Sequence, residues 1–321
     1  MTTRSCWHLT GGQSLIREEP LPTLQEGSCQ VQALYSLIST GTERLVALGQ
    51  VPKELYPQMR VPYMGGDFSF PVKYGYSLVG RVITENHPYV DKVVHLLHPH
   101  QAECVVASQD LFVVPDEIPP SRATLASNLE TALNAVWDGQ ISIGDKVLVI
   151  GFGIIGSLVA RVLSMIGAVE VVVQDIDLRR QYLAEQMGFW TQDKGTEGIS
   201  YDAVFHTSAS EEGLQAAIDQ VGFEGKIIEL SWYGNKSVSL QLGGDFHSQR
   251  KQLISSQVSH LPPYHSRRWN YRRRKEVVFE LLKQPAFDQH LTAEIAFEEL
   301  PNVFTQLREG TNKEFAWVVK Y

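Results

Sequence analysis

The residues with the plainest chemistry are Gly151-Phe152-Gly153-Ile154-Ile155-Gly156. Gly151 permits a tight bend, Gly153 lets the backbone approach a phosphate with no Cβ in the way, and Gly156 lets a helix pack closely on a strand. Val147-Leu148-Val149-Ile150 ahead of the turn reads as a buried strand, and Ile154 to Ile166 reads as a helix. The N-terminus of such a helix offers N–H groups and a partial positive charge to a pyrophosphate. Asp175 follows Gly156 by 19 residues, at the end of a second strand from Val169 to Gln174, where a carboxylate bonds ribose hydroxyls. Together these features imply a dinucleotide. Asp175 favours NAD and makes NADP the weaker fit, because a carboxylate there repels a 2′-phosphate. Arg179 and Arg180 blunt that preference, either as helix-surface residues or, for one of them, as a contact to the adenosine ribose. The glycines alone would also suit a strand-to-helix turn that binds nothing.

Two further groups sit just past predicted strands, where open α/β sheets place ligand contacts. His206-Thr207-Ser208 is the candidate for the adenosine side, and Leu230-Ser231-Trp232 for the nicotinamide side.

Positioning these groups takes a doubly wound α/β domain with a parallel sheet. Its strands and helices alternate over residues 124–257, with strands at Tyr201 to His206, Lys226 to Leu230 and Gln252 to Ser256, and helices at Leu178 to Met187 and Glu211 to Val221. Residues 1–123 read instead as an antiparallel β domain of short, Gly- and Pro-punctuated segments, including Val31 to Leu37, Leu78 to Ile83 and Cys104 to Ala107. A helix from Arg122 to Trp137 joins the two. Residues 258–321 return to mixed character and are expected to fold back on the first domain.

Composition narrows the function class. With 321 residues, 43% hydrophobic and 20% charged, the chain is long enough for two domains and ordinary for a globular protein. A net charge of −8 argues against a whole-surface nucleic-acid binder. No apolar run approaches the ~20 residues of a membrane span, and the first residues do not read as a secretory signal, so a cytoplasmic protein with no membrane partner is expected. Cys6, Cys29 and Cys104 are odd in number and far apart, which fits no disulfide framework.

Two local features stand apart. His98 and His100 carry metal-capable side chains at close spacing but lack an obvious third ligand. The basic run Arg267 to Lys275 interrupts an acidic chain; within it Arg272 and Arg273 could hold an anionic substrate or a cofactor phosphate, and Trp269 or Tyr271 could stack on a flat ring.

A β-rich first domain, a central dinucleotide-binding unit and a returning tail resemble the medium-chain dehydrogenase/reductase superfamily over nearly the whole chain. Ser39-Thr40-Gly41-Thr42-Glu43 is similar to its C-G-T-D segment, Gly75-Tyr76-Ser77-Leu78-Val79-Gly80 to its G-H-E-x-x-G segment, and Asn128-Leu129-Glu130-Thr131-Ala132 to the helix entering its cofactor domain. The pairing of S-T-G-T-E with Y-G-Y-x-x-V-G resembles the branch containing bacteriochlorophyllide 3-hydroxyethyl dehydrogenase. The resemblance implies a GroES-like catalytic domain, a Rossmann domain, a homodimer and a small-molecule substrate. Zinc-dependent members would place ligands at Thr40, Tyr76, Ser77 and Ser127, none of them a good zinc ligand, so catalysis without zinc is expected. Tyr76 then becomes the candidate acid, unless it merely fills the vacated metal site. Thr42 matches a proton-passing hydroxyl, Glu43 and Glu130 are alternatives, and Thr131 matches a position facing the nicotinamide. The expected activity is hydride transfer between NAD(H) and an alcohol or ketone carbon of a bulky or anionic substrate. An enone or quinone reductase, and an NAD-binding protein without catalysis, are the alternatives.

Overall fold

A computed structural model describes residues 1–193 and 200–321. It divides into two units, Met1–Ser127 with Lys275–Tyr321, and Asn128–Arg274.

In the first unit the apolar alternation from Val31 becomes a longer strand, Ser28–Ser39, which buries Val31, Ala33 and Leu37. It is the spine of a sheet ordered Ala293–Ala296, Ala316–Lys320, Ser28–Ser39, Leu78–Val82, Val93–Leu96, Phe112–Val113. Its first half also pairs with Glu103–Ala107, and a register shift between Ala33 and Tyr35 bends it. A second sheet, around the hairpin Thr2–Leu9 and Gln13–Pro20, covers the N-terminal end. The tail helix Leu300–Glu309 turns Leu300, Val303, Phe304 and Leu307 inward and stops at Gly310, whose φ of +70° suits a residue without Cβ. All three cysteines are buried and free, and burial raises the Cys6 and Cys104 thiols far above their usual range. They serve as small apolar residues.

Thr40–Ala47 is a helix where the sequence shows little helical periodicity. The expected helix from Arg122 to Trp137 is broken into Pro120–Ala123 and Ala126–Gly139. The break falls at Thr124, whose carbonyl accepts the Ser77 hydroxyl at 2.5 Å.

In the second unit the near-continuous apolar strands form a parallel sheet ordered Trp190–Thr191, Glu170–Gln174, Lys146–Ile150, Tyr201–His206, Val221–Glu229, Gln252–Ser255. Val147, Leu148 and Val149 at its centre are fully buried, as strands covered on both faces must be. The helix after the glycine turn ends at Leu163, three residues before the expected Ile166, where the Ser164 hydroxyl bonds back to the Arg161 carbonyl at 2.8 Å.

The return to the first unit comes at Lys275, not at residue 258. Residues 258–274 stay with the second unit because Arg274, 4% exposed, bonds Asn134 and the Val258 carbonyl at 2.8 Å and Glu130 at 3.2 Å. Trp269 also lies 4.7 Å from the Trp137 ring.

Candidate active site and cofactor turn

The second unit builds the glycine turn, and its three glycines have different reasons to be there. Gly151 has φ +96°, and a Cβ on it would stand 2.9 Å from the Ser208 nitrogen. A Cβ on Gly156 would stand 1.9 Å from the Gly151 carbonyl oxygen. A Cβ on Gly153 would meet nothing within 4 Å. Packing therefore accounts for Gly151 and Gly156 and leaves Gly153 unexplained, whereas a phosphate drawn against the start of helix Ile154–Leu163 accounts for it.

Asp175, 9% exposed, follows strand Glu170–Gln174. Its carboxylate accepts the Phe152 N–H at 2.6 Å and the Asp177 N–H at 2.8 Å, which fixes it beside the turn and still leaves lone pairs for hydroxyl donors. The two arginines divide. Arg179 bonds Asp177 at 2.6 Å, holding that carboxyl below its usual range, while an Arg180 nitrogen lies 3.7 Å from the Asp175 carboxylate.

The groups past the next strands are placed differently from expectation. His206 is fully buried, with its ring nitrogens 2.7 Å from the Glu229 carboxylate and 2.7 Å from the Ser208 hydroxyl. The Thr207 hydroxyl donates to the Gly151 carbonyl at 2.7 Å. His206 and Thr207 brace the turn and the sheet end, while Ser208 is exposed. Ser231 joins the same network through Glu229 and the Ala209 N–H, and Leu230 and Trp232 are half-buried beside it. Thr131 is half-buried on helix Ala126–Gly139. Glu130 forms an ion pair with Arg274 at 3.2 Å.

The first unit gathers the candidate acid. Tyr76 lies by the Ser39 and Thr42 side chains, with Glu43 close behind. Burial, and next the Glu43 charge, push the phenol up to about 12, against the two hydroxyl contacts. Glu43 is fully buried; it accepts the Ser39 N–H at 2.8 Å and lies 2.9 Å from His100. Thr42, Glu43 and Tyr76 thus share one cluster, and sequence reasoning missed its other members, Ser39 and His100. In the sequence His100 reads only as half of a metal-capable pair with His98. That pair does not form: His98 stacks on Tyr63 and faces the Pro99 carbonyl, while His100 turns to Glu43.

At the positions that would carry zinc, the Thr40 hydroxyl donates to the Phe315 carbonyl at 3.2 Å, and Ser77 and Ser127 each lie 3.2 Å from the same nitrogen of His95. Hydroxyls already engaged in this way are a poor donor set for Zn²⁺. Among the described residues, no group of three or more His, Cys, Asp or Glu side chains is arranged to hold a metal. Phe68 and Tyr74, two of the aromatics near Tyr76, are core residues at 3% and 2% exposure.

The basic run also divides. Arg274 and Lys275 are buried, while Arg272 and Arg273 are exposed and Arg273 lies over the Trp269 ring at 3.9 Å. Among the described residues no helix is long and apolar enough to cross a membrane.

No family model matches the chain. The D-guloside 3-dehydrogenase of Escherichia coli (strain K12) is 25% identical over 163 residues, which cover 47% of this chain and 47% of that enzyme. The chain thus spans about half the length of the curated relatives it matches. Among solved structures, 2R,3R-butanediol dehydrogenase from Bacillus subtilis superposes with a TM-score of 0.78 at 20% identity, covering 100% of both chains. Acetophenone reductase from Geotrichum candidum NBRC 4597, in complex with NAD, superposes with a TM-score of 0.79 at 17% identity, covering 100% of this chain and 97% of that one.

Proposed function

We propose that this chain, which has the fold of the zinc-type medium-chain alcohol dehydrogenases, is an NAD-dependent oxidoreductase acting on an alcohol or ketone carbon without zinc. The observation that carries the cofactor reading is Gly153, whose missing side chain no described residue requires, beside an Asp175 carboxylate fixed at the strand end. Gly151, Phe152, Gly153, Ile154, Ile155 and Gly156 would hold the pyrophosphate, and Asp175 with Arg180 the adenosine ribose. Thr131, Leu230, Ser231 and Trp232 are the candidates for the nicotinamide side. When bound, the nicotinamide supplies or accepts the hydride.

The metal-like positions do not suit zinc, so the proton falls to the chain's own hydroxyls. Tyr76 remains protonated at neutral pH and gives its proton to an oxygen that gains charge, while Thr42 and Ser39 orient the phenol. Arg272 and Arg273, exposed beside Trp269, suit an anionic or flat substrate; Phe68 and Tyr74 are used in packing, and Trp269 and Tyr271 are the candidates for stacking.

The test begins with NADH binding by fluorescence, followed by absorbance assays on ketones, enones and quinones. Turnover on ketones is expected, with Tyr76→Phe lowering kcat by about 100-fold or more while NADH affinity stays unchanged. NADH binding with no turnover on any class would leave a cofactor-binding protein, and stoichiometric zinc in fresh preparations would overturn the zinc-free mechanism. Neutralising Arg272 and Arg273 together should raise KM several-fold for an anionic substrate or NAD; if neither KM changes, that assignment falls.

A further inference from the structure

The sheet end of the second unit holds a serine, a histidine and a glutamate in one line, which the proposed hydride chemistry does not use. His206 and Glu229 are direct partners on the parallel strands Tyr201–His206 and Val221–Glu229, so their side chains leave the same face of the sheet. The Glu229 carboxylate accepts the Ser231 N–H at 2.6 Å and the Tyr233 hydroxyl at 3.1 Å, and lies 2.7 Å from His206 Nδ1. Burial, and next the Glu229 charge, keep the Tyr233 phenol protonated, so that contact is a donation to Glu229. With donors converging on it, the carboxylate acts as acceptor to the ring as well. Nδ1 therefore carries the imidazole proton, and Nε2 keeps its lone pair. Nε2 lies 2.7 Å from the hydroxyl of Ser208, which is exposed, so the Ser208 O–H donates to it. Ser210 Oγ accepts the Gly213 N–H at 3.0 Å and turns its own proton to Ser208 Oγ, also at 3.0 Å.

Two backbone features give this line its room and its aim. Gly213 stands in the first turn of helix Glu211–Gln220, although glycine is a weak helix former. A Cβ there would stand 2.3 Å from Ser208 Oγ and 2.8 Å from both His206 Nε2 and Ser210 Oγ. The glycine keeps that space open for the polar atoms. Ala209 holds φ +51°, a left-handed conformation uncommon for a residue with a side chain, and its N–H is tied to Ser231 Oγ at 3.1 Å. Capping the helix takes Ser210 alone, and explains neither the glycine nor the line behind Ser208.

We propose that Ser208 is a nucleophile, with His206 as its base and Glu229 as the residue that orients the imidazole, giving this sheet end an acyl-transfer activity on neutral esters. A hydroxyl within hydrogen-bond reach of a base, itself oriented by a third group, is the arrangement that activates a serine. Ser208 Oγ bonds to the ester carbonyl carbon as its proton passes to Nε2. The bond from that carbon to the alcohol oxygen then breaks, and the alcohol leaves with the proton. Water next adds to the acyl carbon and gives a proton to Nε2; the bond to Ser208 Oγ breaks, Oγ takes that proton, and the carboxylic acid departs. The N–H groups of Glu211 and Glu212 open the helix without intrahelical acceptors and offer donors to charge that gathers on the acyl oxygen. The exposed carboxylates of the same two residues repel anionic esters, which leaves neutral ones.

The test uses the full chain without NADH, so it is read apart from the cofactor and the Tyr76→Phe assays. Diisopropyl fluorophosphate, a neutral reagent for activated serines, should add about one group per chain, on Ser208 by peptide mapping. p-Nitrophenyl acetate should release a burst of about one equivalent of nitrophenol, followed by slower turnover. Ser208→Ala should abolish both reactions, and His206→Gln should slow both by about 100-fold or more. If His206→Gln fails to fold, Gly213→Ala decides, because its methyl suits the helix but drives Ser208 Oγ from Nε2; labelling about 10-fold slower or more is expected. An unlabelled Ser208 in the wild-type chain overturns the proposal. Labelling of Ser208 that proceeds unchanged in folded His206→Gln or Gly213→Ala overturns it as well.

Discussion

The glycine turn and the Tyr76 cluster are both polar sites on apolar sheets, but they are assembled over different spans of chain. Phe152 and Asp175, which lock the turn, are 23 residues apart, within one strand-helix-strand unit. Glu43 and His100 are 57 apart, and Ser36, whose hydroxyl lies 2.7 Å from His100, is 285 from its partner Tyr321. A local site leaves its spacing in the sequence, because the elements that shape it also fix the intervals between its residues. A site gathered from distant strands leaves only residue types, and these carry no distance.

The comparison can be broken most decisively at the turn. Gly156→Ala places a carbon against the Gly151 carbonyl and should cost about 3 kcal/mol or more, seen as a lower thermal midpoint together with lost NADH binding. Gly153→Ala places its carbon in open space, so the midpoint should hold while NADH affinity falls by about 10- to 100-fold. Equal thermal losses in the two variants would mean that Gly153 serves packing, and the ligand reading would lose its main support. Asp175→Asn sharpens the cofactor choice, since removing the carboxylate charge should shift the NADPH-to-NADH affinity ratio by about 10-fold towards NADPH. An unchanged ratio would assign the preference to Arg180.

A further expected effect concerns acid. His8 and His98 in the first unit have pKa values lowered by burial from 6.5 to about 3. The unfolded chain therefore binds more protons than the folded one below about pH 6.5, and stability is lost as pH falls from there towards 3. Urea midpoints at pH 7 and pH 4.5 should differ, and His98→Gln should narrow the gap. Hydrogen exchange on acidification should quicken first in strands Thr2–Leu9 and Val93–Leu96. Exchange that quickens first in Lys146–Ile150 would reverse that order.

The sequence made the parallel sheet legible because strands buried on both faces read as apolar runs, with Val147 to Ile150 the clearest. It also made Thr42, Glu43 and Tyr76 legible as candidates, through the resemblance of their segments. It did not show which way His206 faces, because a histidine at a strand end carries no mark of that; in the structure it is buried against Glu229. The unit boundary was misread for a related reason. Arg274 looked like one member of an exposed basic run, and only its contacts with Glu130, Asn134 and Val258 show where residues 258–274 belong.

The pairing of Ala316–Lys320 with Tyr35 to Ser39 has a consequence for how the chain is made. As the polypeptide leaves the ribosome, Ser28–Ser39 must wait for its edge partner while the whole of the second unit is synthesised. The second unit can form its sheet from consecutive strands during that interval, whereas the first closes only after residue 320 has emerged. Until then the bent strand keeps an unpaired row of backbone amides and carbonyls, the kind of edge on which nascent chains associate. Long-range strand pairs close slowly, so this edge is among the last of the first unit to be covered.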